Sequence, residues 1–302
     1  MTFTDFLRVV EIRTKIVSLS GFLIGTSYAL YHLGAADPLI IALMFVAVLL
    51  VDMGTTAFNT FFDFESGVDT KQFNAEGDKV LVHRGVAPGH ALLISAGMFL
   101  GAAVLGIVLS LMVGVELLLV GAASMAVGFF YNGGPHPISR TPLGELVAGG
   151  FLGWVLVVLC YYVQTGTFTA EAALVGLPSL LLVASILTVN NTCDIEGDAA
   201  AGRKTLSILL GERKSRVVVY ALGAGAYITA GLLVAQDIVP AVTAVFLVLS
   251  LILMLREHRA MHRRGFSHET KGANMGSISR IFVSYSLAML LGLWSSILVP
   301  SL

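Results

Sequence analysis

The sequence predicts an all-α polytopic membrane protein with nine transmembrane helices, its N-terminus cytoplasmic and its C-terminus outside. Three observations predict it. Of 302 residues, 56% are hydrophobic and 12% charged, with a mean hydropathy of +0.87, which is not the composition of a soluble globule. Nine apolar runs approach the roughly 20 residues that cross a bilayer. All 18 Lys and Arg residues fall in alternate segments between those runs, as they do when cations are held back from translocation.

The first run, 16–32, follows Asp5, Arg8, Glu11, Arg13 and Lys15. No small-residue cleavage site follows it, so it reads as a first span and not a removed signal. The second, 39–60, leads into an acidic stretch. The third and fourth, 91–112 and 115–131, nearly touch, with Gly114 and Glu116 marking their turn. The fifth, 144–164, follows the turn cluster Asn132-Gly133-Gly134-Pro135-His136-Pro137. The sixth, 172–191, leads into a second acidic stretch. Gln236, Asp237 and Pro240 separate the seventh, 217–235, from the eighth, 239–255, and the ninth spans 279–299. The segments without cations carry acids instead: Asp37, Glu116, Glu171 and Asp237. Adding or removing one span would scramble this alternation. Residues 1–302 read as one domain. The 32 glycines suit close helix packing in lipid. The net charge of -1 and the lack of a basic tail exclude a nucleic-acid partner. Cys160 and Cys193 lie in or at the end of apolar runs and predict no disulfide framework.

The chemistry concentrates at the ends of runs two and six. Asn190-Asn191-Thr192-Cys193-Asp194-Ile195-Glu196-Gly197-Asp198 places Asp194 and Asp198 four apart, on one face of a helix. Two carboxylates there repel one another unless a cation sits between them, and Mg²⁺ takes such hard oxygen ligands. Asn59-Thr60-Phe61-Phe62-Asp63-Phe64-Glu65-Ser66-Gly67-Val68-Asp69 has the same order of Asn, Asp and second acid. A single such end is ordinary surface solvation; two are harder to explain that way. Both runs descend toward the cytoplasm, so both ends lie on that face. Arg203 and Lys204 follow the second stretch, and Lys79 and Arg84 lie in the loop after the first. Acids, Mg²⁺ and cations above an apolar slot describe a site for a diphosphate head on a hydrocarbon tail, a polyprenyl diphosphate. Such a site stabilises the charge on a departing diphosphate and excludes water from the allylic cation left behind. The basic segment 256–278 reads as topology signal and anionic-lipid contact. Asp52, two turns before Asn59, falls inside the bilayer, where an acid is expensive. It either meets the hydroxyls or a proton of an acceptor, or is a protonated Asp bonded to a neighbouring helix.

These residues carry a resemblance over nearly the whole chain to the UbiA superfamily of intramembrane aromatic prenyltransferases. The closest pattern is its 1,4-dihydroxy-2-naphthoate polyprenyltransferase branch, of menaquinone biosynthesis. Asn59-x-x-x-Asp63-Phe64-x-x-Gly67-Val68-Asp69-Thr70 resembles that branch's first motif. Asn190-Asn191-x-x-Asp194-Ile195-Glu196-x-Asp198 and Ala201-Gly202-Arg203-Lys204-Thr205-Leu206 resemble its second. Tyr131-Asn132-Gly133-Gly134-Pro135, Leu143-Gly144-Glu145, Arg13 and Gly25 also fit. The resemblance implies a nine-helix fold in a bacterial cell membrane, a cytoplasmic-side site and Mg²⁺ dependence. Asp63, Asp69, Asp194 and Asp198 would then hold Mg²⁺, helped by Asn59 and Asn191. Arg13, Lys79, Arg84, Arg203 and Lys204 would contact the diphosphate. Tyr131 would meet the departing oxygen or line the cation pocket, or else serve as an interfacial anchor. Two positions depart from the pattern: Thr60 stands where an Asp is usual, and Thr14 where a Pro is expected. The implied reaction moves a polyprenyl group to the naphthoate with loss of CO₂. Other acceptors, such as 4-hydroxybenzoate, stay open, and so does a cation-coupled transporter with Asp52 and Asn59 in broken helices.

Overall fold

The computed structural model describes residues 1–69 and 79–299. Thr70 of the first motif and Lys71 of the expected cytoplasmic charge lie outside the described residues. Among the described residues every regular element is helical. Eight helices among the described residues are long and apolar enough to cross a membrane: α1 (Ile12–Leu33), α2 (Pro38–Glu65), α3 (Pro88–Val113), α4 (Val115–Asn132), α5 (Gly144–Thr165), α6 (Ala170–Cys193), α7 (Leu206–Ala235) and α9 (Lys271–Leu298). The eighth expected span is also a helix, α8 (Thr243–Arg264). It differs from the others in charge: its apolar part ends at Leu255, and Arg256, Glu257, Arg259, Arg263 and Arg264 crowd the rest.

Local chemistry sets the boundaries. Asp37 caps α2 by accepting from the N–H groups of Leu39 and Ile40, and Pro38 opens the first turn. Thr169 and Thr205 cap α6 and α7 in the same way. Several helices reach further than their apolar runs, α2 and α7 among them. α2 continues to Glu65, so Asp63 sits on its last turn. α7 starts at Leu206 and breaks at Gly211, which puts Arg213, Lys214 and Arg216 on the helix and not in a loop. The centre of α5 is a π-helix, Gly149–Val155, which no sequence pattern announced. There Gly149 and Gly153 lie against the backbone of α6: a Cβ would fall 2.5 Å from the Leu180 carbonyl and 2.6 Å from that of Ser179.

Helices α2 and α3 pack along each other, as do α6 and α7, α8 and α9, and α1 and α5. One core cluster joins Ile24, Leu182, Ile281, Phe282 and Tyr285, and a second joins Phe22, Met44, Leu109 and Leu159. At one end of the bundle the Asp37 N–H donates to Gln164 Oε1 at 2.8 Å, and Tyr162 Oη donates to Glu116 at 2.9 Å. The connections that carry Asp37, Glu116 and Glu171 therefore share that end. The two acidic stretches share the other, above a cavity of about 1940 Å³ between the helices. Cys160 and Cys193 are both free and buried, as expected.

Candidate active site

Each acidic stretch closes on a glycine. Gly67 (φ 71°) and Gly202 (φ 73°) are left-handed, a conformation that costs other residues a Cβ clash. In each, the residue after the glycine folds back: Val68 N–H donates to the Asp63 carbonyl at 2.9 Å, and Arg203 N–H to the Asp198 carbonyl at 2.9 Å. The glycine N–H groups bond Phe64 and Ala199 at 3.1 and 3.0 Å. Both ends are thus the same helix-terminating motif. It makes Asp63 the counterpart of Asp198, where the sequence order pairs it with Asp194. It also turns Asp69 back beside Asp63, and Arg203 back beside Asp198.

One guanidinium joins the two tips. Arg203 bonds Asp63 Oδ1 at 2.9 Å and Asp198 Oδ1 at 3.2 Å. Lys79 pairs with Asp69 at 2.9 Å, and Lys271 with Asp194 at 2.8 Å, where His268 also lies 3.5 Å away. Burial pushes the Asp198 carboxyl up to about 6, against the pull of Arg203. Burial opposes the charges of Arg203 and Lys79, but the surrounding carboxylates outweigh it and hold both groups above their ordinary values. Glu11 adds a further acid to the wall. Its backbone is left-handed (φ 46°, ψ 60°), uncommon for a residue with a Cβ. Burial raises its carboxyl, and Lys79 and Lys15 lower it.

The structure brings most of the expected residues to one place. Asp52, Asn59, Asp63, Asp69, Lys79, Tyr131, Asn191, Asp194, Asp198, Arg203 and Arg13 all line the cavity. Tyr131 Oη donates to the Gly144 carbonyl at 3.3 Å, so it is a wall residue and not a lipid-facing anchor. Arg84 and Lys204 are not among the lining residues. Arg84 pairs with Asp5 at 3.1 Å and is 46% exposed; Lys204 is exposed, its backbone N–H bonded to the Arg140 carbonyl. Thr60 also faces elsewhere: its hydroxyl donates to the carbonyl of Val9, which fastens the N-terminal helix Phe3–Val9 to α2.

The sequence reading gave no site role to four participants. Lys271 and His268 come from the segment read as topology signal. Lys15, counted with the cytoplasmic cations, is buried and paired with Asp52 at 2.7 Å. Glu145 is 3% exposed and accepts from Asn191 Nδ2 at 2.8 Å, so it aims that amide.

Among the described residues no three His, Cys, Asp or Glu side chains stand together as a preformed metal site. The acids are instead separated by cations. The donor set nevertheless fits a hard divalent ion. It is all oxygen, carboxylates outnumber cations along the wall, and Asp198 Oδ2 is buried without a hydrogen-bond partner. Below the mouth the cavity is apolar, lined by Met44, Val48, Leu109, Leu117, Leu156 and Leu159.

Comparison with known proteins gives one consistent result. Residues 18–278 match the model of the UbiA prenyltransferase family. The chain is 34% identical over 235 residues to 1,4-dihydroxy-2-naphthoate octaprenyltransferase of Bacillus subtilis (strain 168), covering 78% of this chain and 75% of that protein. It is 31% identical over 208 residues to the human UbiA prenyltransferase domain-containing protein 1, covering 67% of this chain and 59% of that one. The fold matches a UbiA homologue from Aeropyrum pernix K1 with a TM-score of 0.70 at 21% identity, over 92% of this chain and 98% of that one. It also matches a UbiA homologue from Archaeoglobus fulgidus bound to DMAPP and Mg²⁺, with a TM-score of 0.65 at 15% identity, over 95% and 99%.

Proposed function

The chain belongs to the UbiA prenyltransferase family, and on that premise we propose that it moves a polyprenyl group from polyprenyl diphosphate to 1,4-dihydroxy-2-naphthoate, with loss of CO₂, in menaquinone biosynthesis. It is a membrane-embedded prenyltransferase; the acceptor and the residue roles are the proposal. The observation that carries it is the Arg203 guanidinium held between Asp63 and Asp198 at the mouth of a long apolar cavity. One group spans both acidic tips there, within the reach of one diphosphate. The naphthoate reading is further supported by the similarity to the Bacillus enzyme.

In this reading residues 1–302 form one domain in a bacterial cell membrane. All nine long helices span it, with the N-terminus and the active site cytoplasmic and the C-terminus outside. The placement of the 18 Lys and Arg residues supports that orientation.

The roles follow from position. Asp63, Asp69, Asp194 and Asp198 would hold Mg²⁺, with Asn59 and Asn191 as neutral oxygen donors and Glu145 orienting Asn191. When bound, the ion offsets negative charge on the diphosphate as it leaves. Arg203, Lys79, Lys271 and Arg13 bind the phosphate oxygens; the first three exchange a carboxylate partner for a phosphate, so no cation is stripped bare. The prenyl chain occupies the apolar depth, and Tyr131 lines the space beside its first carbon. Excluding water there keeps the allylic cation for the ring carbon that bears the carboxylate. That carbon attacks, CO₂ leaves, and aromaticity returns.

The test is incubation of purified protein with Mg²⁺, a polyprenyl diphosphate and a panel of phenolic acids, read by mass spectrometry. The expected product is prenylated naphthoate lacking CO₂, absent with Asp194→Ala. A product that keeps its carboxylate overturns the naphthoate assignment. Diphosphate release that continues unchanged with excess chelator overturns the metal role.

A further inference from the structure

Asp52 lies about 10 Å below Asn59 and about 16 Å below Asp63 along α2, at 1.5 Å per residue. Intervals of seven and eleven residues keep all three close to one face. Its carboxylate is 12% exposed and borders the cavity with Ser18, Thr55 and Thr56. Lys15 is not among the lining residues. It sits behind that wall, 6% exposed, with its ammonium 2.7 Å from Asp52 Oδ1 and bonded to Thr56 Oγ1. Ser18 Oγ donates to Asp52 Oδ2.

A buried ion pair is weak evidence of a stabilising role. Apolar residues of similar volume often serve as well or better, and an ionisable group at this depth is costly. This pair holds one carboxylate, both of its oxygens fixed, against the cavity and two to three turns below the proposed diphosphate level. A carboxylate only accepts hydrogen bonds. It therefore favours a ligand that presents hydroxyl donors and repels one that presents its own carboxylate.

We propose that Asp52 reads the acceptor through a hydroxyl hydrogen bond, and that Lys15 is the positioning residue that keeps the carboxylate charged and aimed. The substrate class is an aromatic ring with a hydroxyl on the side away from its carboxylate, which is turned up toward the mouth. A hydroxyl donating to a carboxylate also enriches the ring in electrons, which favours attack on the allylic cation. This assignment rests on the prenyl-transfer reading and adds the acceptor's orientation to it.

The test compares wild type, Asp52→Asn, Lys15→Met and the double variant Lys15→Met with Asp52→Leu. The KM of prenyl diphosphate and of acceptor are measured separately. Binding of the dihydroxynaphthoate and of its dimethoxy analogue is read by tryptophan fluorescence. Wild type should prefer the dihydroxy ligand by about tenfold or more, the scale of an unpaired buried acceptor group. Asp52→Asn and the double variant should raise acceptor KM by about tenfold and change diphosphate KM by less than about twofold. Lys15→Met should lower the melting midpoint, and the double variant should restore it while its ligand preference stays near one. If the double variant recovers wild-type acceptor KM, or both KM values rise together, the pair is structural and the proposal fails. If wild type uses a different acceptor, the naphthoate reading fails, and the same comparison runs on that acceptor with its methyl ether. If no acceptor is prenylated, the prenyl-transfer reading fails while the binding ratio still tests the pair.

Discussion

Replacing Arg203 with Met should separate what the guanidinium does for the fold from what it does for the reaction. The side chain is 11% exposed and bonds two carboxylates, at 2.9 and 3.2 Å, on the tips of two different segments. Each charge-assisted bond is worth about 1.5–3 kcal/mol. Removing one partner of a buried ion pair costs about 3–5 kcal/mol, because the charge left behind is uncompensated. The metal-free variant should therefore lose about 3–5 kcal/mol, seen as a melting midpoint several degrees lower in detergent with EDTA. Mg²⁺ should reverse most of that loss, because Asp63 and Asp198 are then free to share the ion. The rise in midpoint on adding Mg²⁺ should be larger than in wild type. Activity should not return with it: losing a donor to the charge that develops on the leaving group costs about 10²–10³ in kcat. A variant that Mg²⁺ stabilises no more than wild type, or that keeps near-normal kcat, refutes the reasoning.

Asp198→Asn tests the buried carboxylate by pH. Its folded-state pKa of about 6 exceeds the ordinary value of 3.8. The folded protein thus binds the extra proton between those values, and stability falls as pH rises through them. The penalty is complete above about pH 6 and is on the order of 2–3 kcal/mol. Without metal, wild type should lose melting temperature from pH 4.5 to 7 more steeply than Asp198→Asn; parallel curves would contradict this. Gly25→Ala should cost about 1–3 kcal/mol by overpacking, because its Cβ would meet the Val157 carbonyl of α5 and lie 2.7 Å from Cys160 Cβ; an unchanged midpoint would refute it. Among the expected phosphate contacts, Arg84→Ala and Lys204→Ala should leave kcat/KM within about twofold, whereas Lys271→Ala should lower it by about tenfold or more, as the loss of a charged contact does. The reverse order in a steady-state assay would show that the cavity lining misplaces the phosphate.

The site was legible wherever an apolar run stopped on acids. Asp63 and Asp194 announce themselves that way, because nothing in a span's composition calls for Asn and Asp at its end. The pairings were not legible. Arg84 and Lys79 lie five residues apart in one loop, yet one turns to Asp5 and the other to Asp69; only the path of the chain decides. Lys271 was hidden in a basic segment that membrane topology already explained, and Lys15 among the charges before the first span. Glu145 was legible only as part of the Leu143-Gly144-Glu145 resemblance, and its partner was not, since Asn191 is distant in sequence. Eight of the expected spans have the hydropathy of a membrane helix along their length, whereas α8 joins an apolar half to a charged half that the hydropathy of its first half did not announce.

The π-helical centre of α5 has a consequence for how the pocket can change over time. A π turn takes roughly one residue more than an α turn, so residues 149–155 wind about as far as six would in an ordinary helix. Both flanks therefore keep the phase of a helix one residue shorter. Dropping a residue there would leave Glu145 facing Asn191 and Tyr162 facing Glu116, and would alter the contact of Gly149 and Gly153 with α6 and the bulk that Phe151 and Leu152 present to the cavity. This segment gives the lineage a spacer that can be resized to suit a different guest while the catalytic rim stays seated.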